Sequence, residues 1–151
     1  MNFDSLPYAD DVNYWKTGKS SADTWLDRSQ SLIEEIDGEV TNVGFSHLPK
    51  TGQAAYLIEF RADMDTFKIV WPVLPTRYEG KKEEAAARRQ AATFMFHDIK
   101  AKCMKAKIFG IRGAFFPFLQ LPGGMVAAQL SSPEVMKRIP KLLKDPDKEG
   151  E

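Results

Sequence analysis

One cysteine and two histidines in 151 residues leave little from which to build a metal or redox site. A single thiol excludes an intramolecular disulfide and any thiolate-rich metal cluster. His47 and His97 stand 50 positions apart, with no HxxxH or HExxH spacing, so zinc and iron lack a ligand pattern. Phosphate loops are missing too: there is no GxGxxG and no GxxxxGKS/T, and Gly123-Gly124 is not followed by a suitable lysine and helix. No apolar run approaches the roughly 18 to 20 residues that span a bilayer, and the N-terminus carries no basic-then-apolar signal. These absences point to a soluble, cytoplasmic protein with no cofactor and no membrane partner.

Net charge is the last absence. The chain has 21 basic and 21 acidic residues, which on the total alone argues against a dedicated nucleic-acid binder. The distribution is far from even. Residues 1–47 hold nine acids against three bases, whereas residues 77–113 hold ten bases against four acids. A chain polarised in this way can present a basic face to an anion, or join its acidic part to its basic part within one fold or between subunits.

What is present in abundance is helix signal. The stretch from Gly80 to Phe109 has no interior Gly or Pro, opens with Glu83 and Glu84, and closes with lysines before Gly110. Strong helix formers with that charge polarity predict one helix of about eight turns. At about 100° per residue from Arg89, the residues Ala92, Met95, Ile99, Cys103 and Ala106 form a buried stripe. Beside it Lys82, Arg89, Lys100 and Lys107 fall within about 20° of one another, with Phe96 on the same line. Such a row can track a phosphate backbone and stack a base, although lysine stems lying over apolar neighbours on a solvated edge look the same in sequence.

Before that helix the chain reads in three parts. Residues 1–20 form a polar arm with Phe3, Tyr8, Tyr14 and Trp15, the last two expected to anchor it on the parent domain or a neighbouring subunit. Ser20 or Ser21 caps a helix starting near Ala22, with Trp25, Leu26, Ser29, Leu32, Ile33 and Ile36 on its apolar side and Gly38 at its end. Three strands follow, Glu39 to His47, Ala54 to Ala62 and Thr66 to Val73, as an antiparallel meander. Tyr56, Ile58 and Phe60 alternate onto one face, and so do Phe67, Ile69 and Trp71.

After Gly110 the FFPFL block and the Leu121-Pro122-Gly123-Gly124 turn predict a helix-to-loop transition and a short hairpin-like return. Ser132 and Pro133 open a last helix to about Leu143, followed by a frayed tail, residues 145–151. The predicted fold is α+β: an antiparallel three-stranded meander covered by one long helix, within a single domain at residues 21–144.

Chemistry is harder to find. His97 and Asp98 are adjacent and point about 100° apart, so they cannot form a catalytic pair with each other. Cys103 sits in the apolar stripe without a base. Asp63 and Asp65 flank Met64, where turn geometry explains them more simply than a metal does. The remaining constellation is basic and aromatic: Lys68, Arg77, Lys82, Arg89, Phe96, Lys100, Lys107 and Arg112, with Tyr78, Lys81 and Arg88 nearby.

A meander covered by one long helix is similar in architecture to phage single-strand annealing proteins, whose basic groove tracks DNA. More locally, the run Val73-Leu74-Pro75, the helix segments RRQAA and IKAKC, the FFPFL block and the LPGG turn resemble a family of short, mostly uncharacterised proteins of phages and prophages. The resemblance spans roughly residues 20 to 140. Where that pattern carries LPDG this chain has LPGG, so no acidic role transfers there. The family implies a mobile-element setting and contributes no catalytic residue.

Two readings of function stand level. One is a non-enzymatic phage-type protein that binds or anneals single-stranded nucleic acid through the basic helix face, as a monomer or a homo-oligomer. The other is a protein-interaction module, either a self-assembling accessory protein or a phage inhibitor of a host defence system, with a host protein as partner. An enzyme ranks third, since no nucleophile, base and orienting group come together.

Overall fold

Alternating apolar residues make the sheet. In the computed structural model, which describes residues 5–49 and 51–127, strands β1 (Glu39–His47), β2 (Ala54–Ala62) and β3 (Asp65–Pro72) form an antiparallel sheet in the order β1-β2-β3. The register sets Ile58 against Val43 on one side and Ile69 on the other, and Phe60 against Phe67. Tyr56, Ile58, Phe60, Phe67 and Ile69 consequently share one face and are fully buried.

Helix α1 (Ala22–Glu35) precedes the sheet. The Ser21 hydroxyl accepts from the Thr24 N–H at 3.2 Å, satisfying one of the free donors of the first turn. Leu26, Ser29 and Ile33 turn inward. At the exit Gly38 lies so close to α1 that a β-carbon there would sit 2.5 Å from Ile33 Cγ2.

The long helix is α2 (Lys81–Phe109), 29 residues and thus about 43 Å from end to end. All five residues of the predicted stripe, Ala92, Met95, Ile99, Cys103 and Ala106, are buried against the sheet and α1. Buried residues extend beyond it at Ala86, Ala87, Gln90, Ala91 and Thr93, all in the N-terminal half. The predicted α+β architecture is the observed one, with β3 beginning and ending one residue earlier than the pattern suggests.

Gly110 stops α2 with φ 86° and ψ 161°, a conformation that glycine adopts and β-carbon residues resist. Helix α3 (Ile111–Phe115) then turns Phe115 into the core, its ring 5.1 Å from Phe60 and 6.1 Å from Phe67. The hairpin-like return takes the form of bridges. Leu119 pairs with Phe67 at the edge of β3, and the chain comes back through Gly123 and Gly124 to pair Val126 with Gln120. The expected helix from Ser132 to Leu143, the tail and Phe3 lie outside the described residues.

The N-terminal arm packs on its own domain. Ala9, in a 3₁₀ turn at Ala9–Asp11, is fully buried, and its N–H donates to Pro75 O at 2.8 Å. The buried Gln90 Nε2 donates to Ala9 O and Asn13 O at 2.8 Å and to Val12 O at 3.3 Å. Tyr14 and Trp15 are anchors on the parent domain: Tyr14 stacks on His97 at 5.3 Å, and Trp15 packs against the core.

Candidate functional site

The eight basic and aromatic residues singled out in the sequence do not share one surface. Arg77 is held by the arm, with Nε 3.1 Å from Asp10, Nη2 2.6 Å from Asp11 and its guanidinium 4.5 Å above the Tyr8 ring. Arg112 makes a two-pronged pair with Asp65 at 2.8 and 2.7 Å. Arg89 is half-buried beneath the arm, donating from Nη1 to Gly18 O at 3.1 Å. Phe96 is half-buried against α1, 4.9 Å from Trp25, and lines a cleft with Thr24, Asp27, Arg28, Ser31 and Leu32. Lys68 is half-buried on β3 opposite Glu59. Lys82, Lys100 and Lys107 are exposed and make no ion pair among the described residues.

These placements answer how the acidic and basic halves of the chain meet. Asp10 and Asp11 reach Arg77, which lies before α2, while the arm's Lys16 pairs with Glu83 at 2.6 Å. The arm therefore does not neutralise the lysines of α2. It runs instead along a stripe of the helix defined by Glu83, Gln90, Phe94 and His97, which at about 100° per residue lie within about 60° of one another. The ring contact of the arm that lies farthest along the helix is Tyr14 on His97.

Beyond His97 the same stripe continues without cover. Met104 and Ile108 are 63% and 75% exposed, Phe109 at the helix end 69%, and Phe116 just after α3 49%. The Asp65–Arg112 pair ties the β2–β3 turn to α3, which places Met64, 97% exposed at the tip of that turn, at the same end of the molecule. Lys100, Lys105 and Lys107 stand exposed around this end. Sequence reasoning passed over Met104 and Ile108. Their positions, about 60° and 100° from Arg89 and on the far side of the helix from the buried stripe, were the available signal.

Ionisable groups elsewhere have structural explanations. Burial pushes the Cys103 thiol up to about 11, and its Sγ donates to Leu32 O at 3.6 Å. It is a capped core residue with almost no thiolate at neutral pH. The Arg112 hydrogen bond holds Asp65 below the usual carboxylate range. Burial raises the Tyr56 phenol, opposed by a hydrogen bond from Arg88 Nε at 3.1 Å. Arg88 itself rests 3.9 Å over the Phe45 ring.

An apolar cleft of about 380 Å³ opens between the arm and β3, lined by Val12, Val70, Trp71, Leu74, Phe94 and Phe118 among others, with no ionisable side chain to orient a ligand. Among the described residues no group of three or more His, Cys, Asp or Glu is placed to hold a metal, and no helix is long and apolar enough to cross a membrane. No protein family, no curated protein and no solved structure matches the chain.

Proposed function

We propose that this protein is a non-enzymatic interaction module that docks another protein on the end of the molecule where α2 meets α3. One observation carries the reading: Met104 and Ile108, one turn apart on the uncovered side of α2, and Phe109 at its end are 63%, 75% and 69% exposed. Soluble domains rarely leave such side chains grouped and bare unless another surface covers them. The resemblance to phage and prophage proteins supports a protein of the host cell, such as a component of a defence system, as the partner.

A photo-crosslinking amino acid placed at Ile108 tests this in the cell that expresses the protein, with the exposed Glu79 as the control position. A discrete adduct with another polypeptide at position 108, missing at position 79, is expected. Equal background at the two positions removes the reading.

Single-strand nucleic-acid binding is the second reading, supported by the exposure of Lys82, Lys100, Lys105 and Lys107 along about 38 Å of α2. Three or four phosphates neutralised on a single strand give a slope of about −2 to −3 in log affinity against log salt. Anisotropy of a labelled oligonucleotide measures it. Absence of binding at low salt, or an affinity unchanged by Lys100→Glu with Lys107→Glu, disposes of this second reading.

A further inference from the structure

The outer side of α2 carries Gln90, Phe94, His97, Ala101, Met104 and Ile108 at spacings of 4, 3, 4, 3 and 4. Spacings that alternate 4 and 3 keep these residues in one row along the helix, the kind of row on which a second helix can seat its side chains. The first half of this seam is already an interface: Gln90 binds Ala9 and Asn13 of the arm, and the Tyr14 ring lies 5.2 Å from Phe94 and 5.3 Å from His97. The second half, from Ala101 to Ile108, is bare and continuous with it. In the same register Lys100 and Lys107 take the positions on one side of the seam and Lys105 the position on the other, all exposed and without an ion pair among the described residues. Flanking residues of this kind select the partner by charge.

We propose that the Ala101–Met104–Ile108 seam receives an amphipathic helix of a different protein, aliphatic on one face and lined with glutamate or aspartate along both of that face's edges. The proposal rests on the interaction-module reading and gives its partner a chemistry. A second copy of this seam does not fit, because lysine meets lysine in either helix orientation. The chain's own acidic helix does not fit either. The outer face of α1 carries Asp23, Asp27 and Glu34, but its apolar side, Leu26 and Ile33, is spent in the core.

The test uses the full chain and two helix-stabilised 14-residue peptides with leucine at the seam positions, one with glutamate and one with lysine at the flanking positions, measured by fluorescence anisotropy. The glutamate peptide is expected to bind at least about tenfold more tightly than the lysine peptide, and less tightly as salt rises. The triple variant Lys100→Glu, Lys105→Glu, Lys107→Glu, checked for an unchanged thermal midpoint, is expected to reverse that preference. Equal binding of the two peptides, binding of neither, or a preference that survives the triple variant overturns the proposal. So does saturable binding to phosphatidylserine vesicles in place of the glutamate peptide, which would make the patch a lipid surface. Failure of the peptides while position 108 still crosslinks a protein leaves docking standing and removes the acidic helix; failure of both removes docking as well.

Discussion

Gly38 and Cys103 both meet the C-terminal end of α1, at Ile33 and Leu32 respectively, and each is limited by what it touches. A methyl at Gly38 would meet Ile33 Cγ2 at 2.5 Å, Ile33 O at 3.0 Å and Phe60 Cδ2 at 3.2 Å, two of these belonging to fully buried side chains with nowhere to move. Gly38→Ala is therefore expected to cost about 1–3 kcal/mol, read as a lower midpoint in urea. A substitution tolerated within about 0.5 kcal/mol would show that the α1–β1 corner relaxes freely. Cys103, with its thiol pushed up to about 11 and its Sγ at Leu32 O, has neither the thiolate nor the access that a nucleophile needs.

Between elements, the Asp65–Arg112 pair is the tie that joins the β2–β3 turn to α3, and its pH dependence has a definite sign. The Arg112 hydrogen bond lowers the folded-state pKa of Asp65 below its ordinary value. The contribution is therefore fully present above about pH 4, and it is lost as pH falls through the folded value. Wild type is expected to melt roughly one to two degrees above Asp65→Asn at pH 7, the modest margin of an exposed pair, and that gap should close as pH falls through the folded value. A gap that stays constant from neutral pH into the acid range would mean that the carboxylate is not what Arg112 holds. The elements themselves were largely legible in the sequence. Tyr56, Ile58 and Phe60 repeat every second residue and the stripe from Ala92 to Ala106 every third or fourth, so chemistry within a few residues identifies strand and helix. Their partners were not legible. Arg77 meets Asp11 across 66 residues and Arg89 meets Gly18 across 71, and a helical wheel that aligns Arg89 with Lys100 says nothing about what lies on either. The charged row read along α2 is continuous in angle but divided in space, covered by the arm at Arg89, turned into a cleft on α1 at Phe96 and open at Lys100 and Lys107.

At the scale of the molecule, the arm decides which part of α2 is surface. Its hold depends on Gln90, a nearly fully buried amide whose Nε2 serves three backbone acceptors. Gln90→Ala strips the donor from the Ala9 and Asn13 carbonyls and is expected to loosen residues 8–18 at a cost of about 1–3 kcal/mol. Trypsin cleavage after Lys16 and Lys19 should then speed up by about tenfold or more while the core stays folded. An unchanged cleavage rate would assign the hold to the Arg77 and Tyr8 cluster instead. The Gln90–Ala9 bond spans 81 residues, so it is also a statement about time. The arm leaves the ribosome before α2, yet its docking surface does not exist until α2 has been made and has coiled. Until the arm closes on the newly coiled α2, the whole outer side of that helix is uncovered, a seam about twice as long as the one left open in the finished protein.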